Sequence, residues 1–227
     1  MFKQIIFTGV LMAAFVNANA QSASAPFGVT GTITPGACSV TLTGGQINLG
    51  TLSAATVKGY PLGGTSSGVY QIPPVNTPIS ITCGAPTKVE VSFVDNRPGK
   101  TFLVDGSDPV RFGMVDGAGT TGIGSYQLRF LTASTTIDNV AVGQYLSAPN
   151  GTTTWSTTTA GTAVPSNFGA PGYMVGFAKV AGATTPDSFT TLTGTLEFKS
   201  FVSVNYVNNA TTAIALNGSG TLTLVYL

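Results

Sequence analysis

The sequence predicts an all-β fold, a sandwich of antiparallel sheets, and three observations carry that prediction. Short runs of alternating apolar and polar residues recur along the 227-residue chain, separated by Gly, Pro or Asn turns. Capped segments with apolar residues at the helical period are absent. The composition is rich in Thr and Gly, with 29 Gly, 13 Pro and only 7% charged residues, which suits pleated strands and tight turns.

The first element is an export signal. Lys3 supplies a positive start, Ile5 to Val16 a short apolar stretch, and Ala18-Asn19-Ala20 a small-x-small cleavage site, so residues 1–20 are expected to be removed and Gln21 to begin the mature chain. The apolar stretch falls short of the roughly 20 residues that a membrane span needs, and direct membrane insertion is not expected. The next segment, residues 21–35, alternates. Ala23, Ala25, Phe27, Val29, Gly31 and Ile33 occupy every second position, so an extended strand projects all of them from one face. Small or polar residues fill the positions between.

Residues 36–227 carry the sandwich strands. Candidate runs are Ser39–Leu42, Ile47–Leu49, Pro78–Cys83, Lys88–Asp95, Tyr126–Thr132, Met174–Lys179, Thr193–Tyr206 and Gly220–Leu227. In Lys88–Asp95, Val89, Val91 and Phe93 share one face, and Lys88, Glu90 and Ser92 the other. Thr56–Pro74 and Ala148–Pro171 read as loops, the second carrying a Thr-rich run around Trp155. Neither shows a second hydrophobic core, which predicts one domain with long insertions. Trp155 fits two roles, pinning its loop to the body or stacking on a sugar ring. In the last strand Leu222, Leu224 and Tyr226 share a face.

Composition excludes several chemistries. The chain has no His, so it cannot build a Ser-His-Asp relay or an imidazole metal site. No two of its nine Lys and Arg residues are adjacent, and the formal charge is +1, so there is no basic patch to displace counterions from nucleic acid. Cys38 and Cys83, the only cysteines, allow one intramolecular pairing in the oxidising compartment that export implies. That bridge closes a loop of about 46 residues, worth about 4 kcal/mol if unstrained. Two cysteines are too few for a zinc site. Gly64-Thr65-Ser66-Ser67-Gly68 matches a nucleophile elbow but has no histidine to serve it. Gly117 to Gly122 matches a dinucleotide fingerprint, yet a β-like run follows where a helix must start. Asp105, Asp108 and Asp116 are spaced too widely for a calcium loop. No carboxylate pair stands out for glycosidase chemistry, and no catalytic residue, cofactor or metal is expected.

The two ends of the mature chain carry the strongest signal. Gly31-Thr-Ile33-Thr-Pro-Gly-Ala-Cys38-Ser-Val40, followed by Gln46-Ile-Asn-Leu-Gly50, resembles the opening of chaperone–usher pilins. The apolar-x-apolar-x-Gly-x-apolar run of Phe27, Val29, Gly31 and Ile33, the second Cys83 after Ile79 and Ile81, and Tyr226 as penultimate residue are similar to that family. Residues 100–171 make this an enlarged variant. The resemblance implies an immunoglobulin-like, pilin-type sandwich that lacks its last strand. It also implies a non-enzymatic fimbrial subunit, exported through the periplasm to the cell surface and polymerising by donor-strand exchange. Phe27, Val29, Gly31 and Ile33 would then enter a neighbour's groove, with Gly31 where that groove is shallow. Leu222, Leu224 and Tyr226 would line this chain's own groove, and Leu227 would offer its terminal carboxylate to a periplasmic chaperone. The implied partners are that chaperone, an outer-membrane usher and neighbouring subunits. The second reading is a fimbria-associated adhesin or minor subunit binding a glycan through the Trp155 loop.

Overall fold

A computed structural model of the chain describes residues 36–44, 47, 49, 51–63, 68–102, 111–159 and 170–227. The chain divides into two compact units, Met1–Thr34, which lies outside the described residues, and Pro35–Leu227. The expected signal at 1–20 and the donor residues Phe27, Val29, Gly31 and Ile33 fall in the first. Gly64 to Ser67, Asp105 and Asp108 also lie outside the described residues.

The second unit runs β1 (Cys38–Leu42), α1 (Ala54–Lys58), β2 (Val69–Thr87), β3 (Val89–Asp95), β4 (Phe112–Val115), β5 (Gly122–Phe130), β6 (Thr136–Ile137) and β7 (Val140–Ala141). It continues through β8 (Gln144–Pro149), β9 (Ser156–Thr159), β10 (Tyr173–Ala178), β11 (Phe189–Ser203), α2 (Val204–Asn209), β12 (Asn217–Gly218) and β13 (Gly220–Tyr226). One sheet has the order β1-β2-β11-β5-β4-β12, with β6 paired to β11 and β7 to β6; the other has the order β13-β3-β10-β8-β9. Every pairing between these strands is antiparallel. The fold is therefore the all-β sandwich of antiparallel sheets that the alternating runs predict.

Its core follows from the same alternation. Ile79 and Ile81 on β2, Leu192 and Leu196 on β11 and Leu128 and Phe130 on β5 face Val89, Val91 and Phe93 on β3, with Val175 and Phe177 on β10. Phe130 meets Phe177 edge to face, with ring centroids 5.0 Å apart, a favourable arrangement of ring quadrupoles.

The elements differ from the sequence expectation in five places, one being β9 (Ser156–Thr159), a strand inside the Ala148–Pro171 stretch read as a loop. Val69–Pro74, assigned to a loop, is the first third of the 19-residue β2. Pro73 and Pro74 stay in the sheet because they lie opposite a register shift between Phe198 and Ser200 of β11, where the ladder needs no donor from them. The strand expected over Thr193–Tyr206 ends at Ser203, whose Oγ accepts from the Tyr206 N–H and starts α2. Ser53 does the same for α1, accepting from the Thr56 N–H. Ile47 and Leu49 lie in no strand.

Candidate functional site

Among the described residues, the two sheets stop at edges that lie across from one another without pairing. In the first, β1 is the end strand; in the second, it is β13. β1 is anchored on its other side by five register pairs with β2, among them Cys38 opposite Cys83. Those two cysteines form the disulfide, with Cα atoms 4.0 Å apart. β13 is anchored by seven pairs with β3, from Gly220 opposite Asp95 to Tyr226 opposite Val89.

Register fixes which side chains point inward. Side chains directly opposite in an antiparallel pair share a face. Val40 lies opposite Ile81, and Leu42 opposite Ile79. Leu222, Leu224 and Tyr226 lie opposite Phe93, Val91 and Val89. All five partners are core residues. Yet Val40 is 37% exposed while Ile81 beside it is 0% exposed. Leu222 and Leu224 are half-buried, and Tyr226 is 47% exposed. Inner-face residues of a sandwich become half-exposed in this way when the layer that should cover them is missing.

A furrow of about 760 Å³ opens in this gap. Leu42 and Leu222 flank it, and Phe93, Tyr126, Leu128 and Phe198 line its depth. Ile47, Leu49 and the 213–219 segment, which crosses from one sheet toward the other, add further walls. Burial raises the Tyr126 phenol well above its usual range, with the nearby Asp95 charge adding to the effect. Thr51, Ser200, Asn217, Ser219 and Thr221 stand among these apolar side chains, so the furrow offers polar as well as hydrophobic contact.

At one end the two lips touch. The Cys38 N–H, on the edge of β1 turned away from β2, donates to the Tyr226 hydroxyl at 2.8 Å. Beyond it the Leu227 N–H donates to the Lys88 carbonyl at 3.2 Å, and the Leu227 side chain is 52% exposed.

The remaining candidate residues lie elsewhere. Trp155 does not border the furrow. Its indole lies 3.7 Å from where a Cβ on Gly176 would stand, beside Pro186, on the outer face of the second sheet. That position favours the loop-pinning role. Asp116 closes the turn between β4 and β5, accepting from the Thr120 and Thr121 N–H groups, which hold its carboxyl below the usual range. The Gly117–Gly122 stretch is that turn and the first residue of β5. Asp138 is held low as well. Burial pushes it up, but bonds from Lys179, Thr190 and Thr191 outweigh that effect. Among the described residues no three His, Cys, Asp or Glu side chains cluster to hold a metal, and no helix is long and apolar enough to cross a membrane.

Two features escape sequence reasoning. One is the tie between Tyr226 and Cys38, a contact between residues 188 positions apart. The other is Glu90, on the face of β3 away from Val89, Val91 and Phe93. It is 0% exposed, neither carboxylate oxygen has a hydrogen-bond partner among the described residues, and burial raises its pKa to about 7. A signal for that second buried face does exist in the sequence. β8 and β10 carry apolar residues on both faces, Leu146 and Ala148 beside Tyr145, and Met174 beside Val175, as sheets covered on both sides do.

No curated protein matches the chain. Among solved structures it is similar to one described as "Crystal structure of the P pilus rod subunit PapA", at 14% identity over 89% of this chain and 100% of that chain, with a TM-score of 0.34. Residues 27–146, more than half of the sequence, match the family described as "Protein of unknown function (DUF1120)", and the chain belongs to that family.

Proposed function

We propose that this protein is a structural subunit of a chaperone–usher surface fimbria, an incomplete sandwich completed by a strand from a second copy. The observation that carries this reading is the half-exposed inner row of Val40, Leu222, Leu224 and Tyr226 on two edges that pair with nothing further among the described residues, Leu222 also bordering the furrow. An added strand satisfies both deficits at once. Its main chain pairs with an edge, and its alternate side chains cover the inner row.

The occupant is the 23–33 segment of another copy. Its residues Phe27, Val29, Gly31 and Ile33 alternate as an inserted strand requires. Donation to a neighbour is supported by how the chain enters β1. At Gly36 an added Cβ would meet the Ala85 nitrogen at 2.6 Å, and the Gly84 N–H bonds the Ala37 carbonyl. Residues 36 and 37 thus prolong β1 alongside β2 instead of turning back across the furrow. About seven paired residues with several buried apolar side chains supply well over 10 kcal/mol gross, before ordering costs. A periplasmic chaperone fills the furrow first on this reading and holds the Leu227 carboxylate. An usher then exchanges it for the next subunit, outside the inner membrane, after the signal at 1–20 is removed.

The test uses the mature chain and a synthetic peptide of residues 21–34. The peptide should form a 1:1 complex and raise the melting temperature in proportion to the logarithm of its concentration. Leu222→Asp should abolish capture while the disulfide-bonded sandwich still folds, and Gly31→Leu in the full chain should stop fibre formation. A chain that stays monomeric at high concentration and ignores the peptide would refute the proposal. The adhesin alternative, with Trp155 as a glycan platform, gains no support from a Trp155 packed against Gly176.

A further inference from the structure

We infer that Tyr226 is the register stop of the furrow, the residue that decides where along β13 an inserted strand comes to rest. The inference rests on the donor-strand reading above and adds to it a positioning device. It begins from an ambiguity in the donor. A slip by one residue turns every side chain to the wrong face, so the apolar pattern forbids it. A slip by two residues preserves the pattern. Ala23, Ala25, Phe27, Val29, Gly31 and Ile33 present the same inward face in registers two residues apart, so alternation by itself does not select one of them.

The acceptor supplies what the donor lacks. Tyr226 sits opposite the fully buried Val89, so its ring stands on the inner face at the end of the gap. Its hydroxyl reaches the opposite lip and accepts from the Cys38 N–H at 2.8 Å. Two consequences follow. The ring blocks the path between β1 and β13 at that end. The main-chain donor that an advancing strand would use there is already taken, so a strand sliding past Tyr226 must break a bond and gains none in exchange. Both lips are held firmly at this point. The disulfide fixes Cys38 to β2, and the Leu227 N–H fixes the end of β13 to Lys88. The gap is a blind-ended slot, with the furrow of about 760 Å³ toward its Gly220–Leu222 end.

The experiment photo-cross-links the mature chain to excess 21–34 peptide carrying benzoylphenylalanine in place of Phe27, and maps the products by tandem mass spectrometry. The wild type should yield one attachment site. Tyr226→Phe keeps the ring and removes only the hydroxyl. It should raise the share of product at a site displaced by two residues about fivefold, the effect of one neutral hydrogen bond. Tyr226→Ala, with folding checked by circular dichroism and an intact disulfide, should spread the product further. A single unchanged site in both variants would overturn the stop while leaving strand capture intact. Absence of cross-linking to the wild type would overturn strand capture itself, and the stop with it.

Discussion

Replacing Glu90 by glutamine should make this protein more stable above neutral pH and leave its stability near pH 4 almost unchanged. The carboxyl is sealed from water with no hydrogen-bond partner among the described residues, and its pKa is raised from 4.5 to about 7 by burial. A carboxyl that holds its proton more tightly when folded favours the fold below about 4.5, and this contribution is lost as pH rises through 7. At about 1.4 kcal/mol per pKa unit the full shift corresponds to about 3 kcal/mol. Protein interiors behave as more polarisable than a dry medium, so the expected value is taken as about 2 kcal/mol. For a domain of this size that is a melting shift of roughly 4–8 °C. Scanning calorimetry of both chains from pH 4 to pH 8 reads it directly. The wild-type melting temperature should fall between pH 5 and 8 while that of Glu90→Gln falls less, so the two curves diverge upward in pH. Parallel curves, or a variant less stable than wild type at pH 8, would show that the buried carboxyl is not what limits alkaline stability.

Four further outcomes follow from the packing. Removing both cysteines, as Cys38→Ser with Cys83→Ser, should cost about 4 kcal/mol in urea unfolding, and it should weaken peptide capture because β1 loses its tie to β2. Gly176→Ala sets a methyl against Pro186 and the Trp155 indole, so a loss of about 1–3 kcal/mol is expected in the same assay. Trp155→Ala should lower the melting temperature and leave peptide capture unchanged, because its packing and the furrow lie on different faces of the second sheet; a glycan array binding wild type but not the variant would reinstate the adhesin reading. For the pair of Arg129 and Glu197, joined at 2.7 Å on the outer face of the first sheet, a double-mutant cycle should give under about 1 kcal/mol, since the arginine is half-exposed.

How much of this was legible beforehand depends on the range of the interaction. Alternation over Val89, Val91 and Phe93 identified β3 and its inner face because period 2 is a local property. The strand at the chain end was legible for the same reason. Thr56–Pro74 read as a loop, but its last six residues join β2 because Pro73 and Pro74 form a bulge opposite Lys199 of β11, more than 120 residues later, where no hydrogen bond is needed from them. The burial of Glu90 had no local signal: its face is covered because Trp155 and Pro186 pack against Gly176 on the same face of the neighbouring β10. At the furrow, Leu222, Leu224 and Tyr226 could be assigned to one face from sequence. The lip formed by Val40 and Leu42, and the tie from Tyr226 to Cys38, depend on where β1 lands, which no local pattern encodes.

The arrangement of β3 joins these observations into one physical problem. Its inner residues Val91 and Phe93 sit beside the half-covered Leu224 and Leu222, while its outer residue Glu90 sits opposite Val225 of the same edge strand. β13 therefore borders both an apolar row that lacks a cover and a carboxyl that lacks a partner. Filling the furrow stabilises β13 from the inner side, and ionising Glu90 loosens the same backbone from the outer side. The two free energies need not add, because neighbours that share a strand couple where distant sites do not. A strand that pairs with the free edge of β13 holds Val225 in place over the carboxyl, so occupancy should keep Glu90 protonated to higher pH than in the empty subunit. Linkage makes the converse equally necessary: a protonated Glu90 must then favour capture. Peptide affinity measured at pH 5 and pH 8 should differ in wild type and become equal in Glu90→Gln. If the pH difference survives in the variant, its source lies at another titrating group and β3 does not carry the coupling.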